Sequence, residues 1–476
     1  MDWSHSLRLV APEELLSIAG LILLLVAAWS GDKAARAISI AAVAVLVACT
    51  FLVAPVLAGG DMGAGTDAFF GQFRADAFSA FAKLLIYAAA AGCLMVAPAY
   101  FERLREMRAE YPILILFAAL GMGIMVSATD LLTLYIGLEL NSLAAYVLAA
   151  FLRSDGRSAE AGLKYFVLGA LASGILLFGM SLTYGFTGTT GFGGIRAALT
   201  GDLSTGATFG IVFVLAGLAF KISAVPFHMW TPDVYEGAPT PVTTFFATAP
   251  KVAALALTMR VAIEAFGSQT GAWQQIVIFA ALASIVVGAL GAIGQSNIKR
   301  LLAYSSINNV GFMLIGLAAA TQDGAAAMLV YLAIYVAMSL GGFVAVLMLK
   351  DADGNQVEDI AQMAGLSQHR KVLALCIAMI MFSLAGIPPL FGFWGKFVVF
   401  QAAVEAGFVA LAAIGIAASV IGAFYYIKIV KIMYFDEPAN TITGKSDWAH
   451  QAVLFVCALA VSPLRKRSAA ERGEGA

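Results

Sequence analysis

Charge is what this sequence has least of. Asp, Glu, Lys and Arg make up 12% of its 476 residues, about half the share found in soluble domains. Hydrophobic residues make up 61% and the mean hydropathy is +0.90, which excludes an ordinary water-soluble globule. The 28 basic and 29 acidic residues nearly cancel, so no charge imbalance points to nucleic acid as a partner. Cysteine is scarce too: Cys49, Cys93, Cys376 and Cys457 stand singly in apolar runs without CxxC spacing. They read as small core residues, not as disulfides or metal ligands. Of four histidines, His5, His369 and His450 fall outside the apolar runs or at their ends, which leaves no buried pair for a haem. Phosphate loops, dinucleotide fingerprints and metal-ligand clusters are absent from the sequence.

What is present is a succession of apolar runs, each long enough to cross about 30 Å of hydrocarbon as a helix. The alternation of a transmembrane barrel is missing, so the spanning elements are helices. The expected fold is an all-α polytopic membrane protein of about 14 transmembrane helices. They lie near 12–29, 36–58, 77–99, 112–128, 131–152, 161–184, 206–230, 240–264, 274–294, 301–320, 325–349, 371–399, 406–433 and 448–464. The start, "MDWSHSLRLVAPEELL", lacks a basic n-region and carries Glu13 and Glu14, so it reads as a retained span and not as a signal peptide. Connections after odd-numbered spans hold Lys33, Arg36, Arg103, Arg105, Arg108, Arg153, Arg157, Lys299, Arg300, Lys350, Arg370 and Lys371; the others hold little beyond Arg74 and Arg196. By the positive-inside rule the N-terminus is outside, periplasmic in a bacterium. The basic tail "SPLRKRSAAERGEGA" resists this scheme, and the last span is short.

The organisation reads as four parts: three helices in 1–105, a five-helix set in 106–265, a second in 266–435, and a last helix with its tail in 436–476. The two sets open alike, with "LFAALGMGIMV" and "IFAALASIVVGAL". Each contains a span broken by proline before a tryptophan, "AVPFHMW" in helix 7 and "GIPPLFGFW" in helix 12. An odd number of spans per repeat makes the second copy inverted.

Few ionisable groups fall well inside spans: Glu139, Lys221, Lys251 and Lys396, with His228 near the end of the seventh. Each costs at least about 2.5–3.5 kcal/mol at the bilayer centre. Glu139 is either a structural tie between helices or a proton-carrying acid and counter-ion. Lys251 is too far from a span end to snorkel. Lys221 precedes Pro226, which interrupts the helix near residue 222, and Lys396 follows Pro388 and Pro389. Backbone freed at such a break is tolerated only against protein or internal water. A lysine beside it marks a hydrated cavity, unless it only plugs the freed carbonyls. A buried ammonium loses hydration and a nearby carboxylate compensates, so a movable acid can load and unload the amine. Lys164 is balanced between snorkelling and a pathway role, and His228 between relaying protons and capping the break. Asp233 and Glu236 read as loop acids.

Several stretches resemble the antiporter-like membrane subunits of respiratory NADH:quinone oxidoreductase, complex I. They are "LLTLYIGLELNSLAAYVL", "EAGLKYFVLGALASG", "GLAFKISAVPFHMWTPDVYEGAPTPVTTFFATAPK", "NIKRLLAYSSINNVGFMLIG" and "LAGIPPLFGFWGKF". The resemblance covers about residues 112–400. It implies fourteen helices, two inverted repeats and one proton channel, in a multi-pass subunit of a bacterial inner membrane. It implies Glu139 as the acid of the fifth helix, Lys221 as its partner on the seventh, Lys251 as the centre of the eighth, and Lys396 as the terminal lysine of the twelfth. It places the FMN, iron–sulfur clusters, NADH site and quinone site in partner subunits, beside sister antiporter-like subunits, with no cofactor or metal in this chain. Three alternatives stay open: a subunit of a multisubunit Na⁺/H⁺ antiporter or membrane hydrogenase, a stand-alone small-solute transporter, and an inert scaffold whose buried charges are structural.

Overall fold

A computed structural model describes residues 3–59, 65–439 and 441–463; the basic tail noted above lies outside them. The helices follow the apolar runs. The chain forms two compact units, Met1–Val277 and Ile278–Ala476.

The first unit opens with α1 (Ala11–Ser30) and α2 (Ala35–Leu57), joined only by a 3-10 turn at Gly31–Ala34. The first two expected spans are thus nearly continuous. A hairpin of β1 (Thr66–Ala68) and β2 (Phe73–Ala75) follows, antiparallel with Asp67 opposite Arg74. Then come α3 (Ala77–Arg103), α4 (Glu110–Ser127), α5 (Leu131–Ala149), α6 (Gly156–Thr187) and α7 (Thr205–Ile222). Four connections converge at one end of this unit. Phe73 bridges Ala128 and Asp130 bridges Gly191, while Arg74 Nη1 lies 3.2 Å from Glu264. These connections follow the second, fourth, sixth and eighth expected spans, so the spans between them alternate in direction.

Polar caps start the helices where the sequence places them. Asp76 and Ser79 form a capping box on α3, Asp130 accepts from the N–H groups of Leu132 and Thr133 on α5, and Ser204 caps α7. Each satisfies donors that a helix start leaves open. Small residues then let helices approach. A Cβ on Gly121 of α4 would stand 2.6 Å from the Gly137 carbonyl of α5. This contact holds α5, which carries Glu139, against the interior.

Beyond α7 the chain continues in short pieces, α8 (Trp230–Gly237), α9 (Thr240–Phe246) and α10 (Ala249–Arg260), and two of the interruptions fall inside expected spans. The break at 223–229 follows from Pro226. The second, at Ala247–Thr248, splits the run expected as one span, and Pro250 then occupies the second position of α10, where its missing N–H costs nothing.

In sequence, α11 (Thr270–Ile293) runs across the boundary. The second unit continues with α12 (Ile298–Ala318), α13 (Gln322–Met348), α14 (Lys371–Ala385), α15 (Phe391–Glu405), α16 (Val409–Phe435) and α17 (Trp448–Ala460). Here the break, 386–390, carries Pro388 and Pro389, and Gly386 ends α14 in the left-handed conformation at φ +81°. Among the described residues, eleven helical stretches are long and apolar enough to cross a membrane, with Ala11–Leu57 counted as one. The shorter apolar helices include α14 and α17.

Candidate functional site

On α5, Glu139, Ser142 and Tyr146 are spaced three and four residues apart, which stacks them on one helix face. Lys221 sits one residue before the end of α7, where an ammonium is favoured by the helix dipole. Its Nζ donates to Ser142 Oγ at 2.6 Å and to Tyr146 OH at 3.4 Å. Glu139 instead accepts from Ser173 Oγ of α6. Lys221 and Glu139 are therefore neighbours that bind different hydroxyls. Among the described ion pairs, none joins them directly, although the resemblance implied a partnership.

The break after α7 creates the second amine site. Ser223 turns left-handed at φ +63°, ψ 37°, the Val225–Pro226 peptide is cis, and the helix cannot use the Ile222 carbonyl. Lys251 uses it. This side chain is 1% exposed, and its Nζ donates to Ile222 O at 2.9 Å and Ser223 Oγ at 2.5 Å. Thr231 Oγ1 donates to the same serine at 2.7 Å. Lys251 is the third residue of α10, so its ammonium faces the positive end of a helix dipole. The Ile222 carbonyl offsets that. Rings line the space around both amines. Tyr146 lies 4.9 Å edge-on from Tyr165, which stacks at 4.5 Å on Trp230. Lys221 lies 5.6 Å from the Tyr146 ring and Lys251 lies 5.8 Å from the Trp230 ring.

Lys164 lies on α6, its Nζ 2.6 Å from Glu160 and 2.8 Å from Asp233. Asp233 and Glu236 are thus not loop acids. Both lie on α8, and Arg157 Nη2 donates to the Glu236 carbonyl at 3.3 Å. These two contacts dock the start of α6 on α8. His228 sits half-buried within the break, its carbonyl accepting from Thr231 N at 2.9 Å.

The second unit holds one candidate amine. Lys396 of α15 is 7% exposed and reaches back across its own break. Its Nζ donates to the Leu384 carbonyl at 3.0 Å and the Ala385 carbonyl at 3.3 Å, and lies 4.6 Å from the Phe312 ring. Among the described residues no carboxylate pairs with it. On α12, whose Phe312 faces Lys396, the run "YSSINN" carries a neutral polar network. Tyr331 OH donates to Asn309 Oδ1 at 2.5 Å, Asn309 Nδ2 donates to Ser305 O at 2.8 Å, and Ser305 Oγ meets Tyr426 OH at 2.5 Å.

Sequence reasoning missed several buried charges. Lys83 and Glu13 are 3% and 6% exposed and pair at 2.7 Å. Arg260, wholly buried, pairs with Asp76 at 2.7 Å. Lys299 and Lys350, counted above among loop charges, are buried at 2% and 5% and lie 3.5 Å from Glu358 and 2.7 Å from Asp447. His450, expected at a span end, is fully buried beside Asp447. Only Lys83 and Arg260 were visible in advance, as single charges within apolar runs. Among the described residues, no group of three or more His, Cys, Asp or Glu could hold a metal ion.

Comparison with known proteins gives these contacts a context. Residues 128–422 match the model of the family described as NADH:quinone oxidoreductase/Mrp antiporter, TM. A protein named NADH-quinone oxidoreductase subunit N, from Erythrobacter litoralis, is 70% identical over 98% of this chain and 95% of its own length. A chain of respiratory complex I from Thermus thermophilus is 31% identical, with a TM-score of 0.79 over 94% of this chain and 96% of that one. A chain of the Mrp complex from Dietzia sp. shares the fold at 22% identity, with a TM-score of 0.83 over 96% of this chain and 94% of that one. The chain belongs to the NADH:quinone oxidoreductase/Mrp antiporter family of transmembrane subunits, on the branch of bacterial NADH-quinone oxidoreductase subunit N.

Proposed function

We propose that this chain is the proton-translocating membrane subunit N of a bacterial NADH:quinone oxidoreductase, working through a buried relay of Glu139, Lys221, Lys251 and Lys396. The observation that carries the relay is the Lys221 amine, held by Ser142 and Tyr146 one helical turn from Glu139 at the mouth of a broken helix. Both hydroxyls can accept from an ammonium and donate to an amine, so their bonds survive either protonation state of the lysine. A carbonyl only accepts, so it can bind the N–H groups of either form but cannot donate to the lone pair of a neutral amine.

The proposed sequence is local. When Glu139 leaves Ser173 and approaches Lys221, its charge favours the ammonium; when it returns, desolvation favours release. Lys251, nine-tenths and more buried on the Ile222 carbonyl, receives the proton across the aromatic wall by way of internal water. Lys396 is the terminal amine of the second unit. Lys164 serves at the entry, held between Glu160 and Asp233, and His228 lines the break. Quinone reduction, with its FMN, iron–sulfur clusters, NADH and quinone, belongs to partner subunits, and sister antiporter-like subunits flank this one in the inner membrane. The N-terminus faces the periplasm. High identity to subunit N relatives favours this reading over an Mrp-type antiporter or a hydrogenase subunit.

A tag on this chain, gentle solubilisation of the source membranes and an NADH:quinone reductase assay test the partner set. Activity should elute with the tag in a large complex. Elution with membrane subunits alone, without redox activity, would return the chain to the antiporter class. The relay is tested in vesicles holding the assembled Glu139→Gln enzyme. Coupled proton transfer should fall about 10²-fold, the lower end of what a positioned proton-transfer group contributes. Normal pumping there would remove Glu139 from the relay.

A further inference from the structure

A cavity of about 920 Å³ opens in the second unit, and Lys396 is not among its lining residues. One side is basic, with His369, Arg370 and Lys371; the other is apolar, with Val372, Trp448 and Phe455. No Asp or Glu lines it among the described residues. Among the described residues Arg370 is engaged only by neutral groups: its Nη1 donates to Ser446 Oγ at 2.7 Å and its Nη2 to the carbonyls of Thr443 and Gly444. Its position is fixed, and its charge is not cancelled. Lys371 is exposed at the first residue of α14, a helix whose start has no side-chain cap. That start leaves N–H donors and the positive end of the dipole at the same place.

The two apolar helices that wall the cavity, α14 and α17, both begin here, at Lys371 and Trp448. Their polar-to-apolar boundary therefore passes through it. Trp448 and Val372 are 75% and 71% exposed, and an exposed tryptophan at such a boundary marks headgroup level. A soluble anion would leave the apolar wall wet, and an uncharged lipid would leave two cations unmatched. We infer that this cavity binds one anionic phospholipid, its phosphate on Arg370, Lys371 and the first N–H groups of α14, its acyl chains along Val372 and Phe455. Basic pockets between transmembrane helices recognise anionic headgroups in this way. The inference is independent of the proton relay.

The test uses the complete complex in membranes of its source, with a phosphatidylglycerol carrying a photoactivatable acyl chain as probe. Irradiation and peptide mapping should find labelled peptides containing Val372 and Phe455. A phosphatidylcholine probe of the same chain should label them several-fold less. Lys371→Gln should lower phosphatidylglycerol labelling about fivefold, the worth of one basic residue near the surface, and Arg370→Gln further. Because Arg370 also braces residues 443–446, Lys371→Gln is the decisive variant wherever Arg370→Gln fails to assemble. Equal labelling by both lipids, or unchanged labelling in Lys371→Gln, overturns the proposal. Displacement of the lipid by millimolar inorganic phosphate would reassign the site to a free anion. Cross-links from these residues to another subunit in place of lipid would reassign it to a protein contact.

Discussion

Two broken helices carry buried lysines in this chain, and they solve the same problem differently. At the break after α7, Lys251 takes the freed Ile222 carbonyl, leaving Lys221 to bind hydroxyls near a carboxylate. At the break after α14, Lys396 takes both the Leu384 and Ala385 carbonyls itself. The first break divides bracing and exchange between two amines. The second assigns one amine to bracing, and the polar groups near α12 are neutral amides and hydroxyls. An amine held only by carbonyls has no donor for its lone pair once it is neutral, while one facing hydroxyls does. Lys221 is therefore the freer amine, and the two sites should respond differently to the same substitutions.

The largest expected effect is at the first break. Lys221→Ala should lower coupled proton transfer and turnover about 10²-fold, at the lower end of what positioned acid–base groups contribute. Assembly should be retained, because Ser142 keeps another partner: its Oγ donates to the Leu138 carbonyl at 2.6 Å. Turnover and proton uptake in reconstituted vesicles measure this, with the amount of assembled complex as the control. Loss of assembly in place of activity would mean that Lys221 is structural.

Lys396→Ala should do what Lys221→Ala does not. Two buried carbonyls lose their donor, and an unsatisfied buried group costs about 1–3 kcal/mol. Thermal stability of the complex should fall along with proton transfer. Lys396→Gln separates the two roles, since an amide still donates but carries no proton. Stability restored with transfer still lost keeps Lys396 in the relay. Stability and transfer both restored would make it a plug.

Lys251→Gln is the same test at the first break, where the two functions are already divided. The amide can keep the Ile222 and Ser223 bonds, so assembly should survive while transfer falls about tenfold, short of the 10²-fold or more that a positioned acid–base group contributes. Equal turnover in Lys251→Gln and the parent enzyme would restrict the relay to Glu139 and Lys221.

These contrasts show which parts of the molecule could be read in the chain. Proline positions announced the breaks at 223–229 and 386–390, because a missing N–H and a ring clash are local effects. Glu139, Lys221, Lys251 and Lys396 stood out as lone charges in apolar runs, which is again a local observation. What the lysines bond to was not legible. Ser142, Ser173 and Ser223 are small polar residues that could equally face lipid or a neighbour, and only helix packing decides. The Glu13–Lys83 pair shows the same limit, since its members lie on α1 and α3 and neither run shows which charge the other faces. Lys299 and Lys350 looked like loop charges because their acids, Glu358 and Asp447, are distant in sequence. Orientation arguments built on counting such lysines weigh buried pairs as though they were free.

The smallest expected effect sharpens the comparison most. Ser142 contributes the shorter of the two bonds to Lys221, 2.6 Å against 3.4 Å from Tyr146. Ser142→Ala leaves the amine one hydroxyl and opens space for about one water. A single hydrogen bond is worth about 1 kcal/mol net, and somewhat more to a charged group, so transfer should slow about fivefold with assembly unchanged. Ser142→Thr, which keeps the hydroxyl, should recover most of the rate. No change in Ser142→Ala would mean that Tyr146 or water alone holds the amine. A loss as deep as that of Lys221→Ala would mean that the serine hydroxyl is itself a step on the proton's path. No equivalent of this experiment exists at the second break, where, among the described residues, Lys396 hydrogen-bonds only to backbone carbonyls and no hydroxyl can be removed to free it.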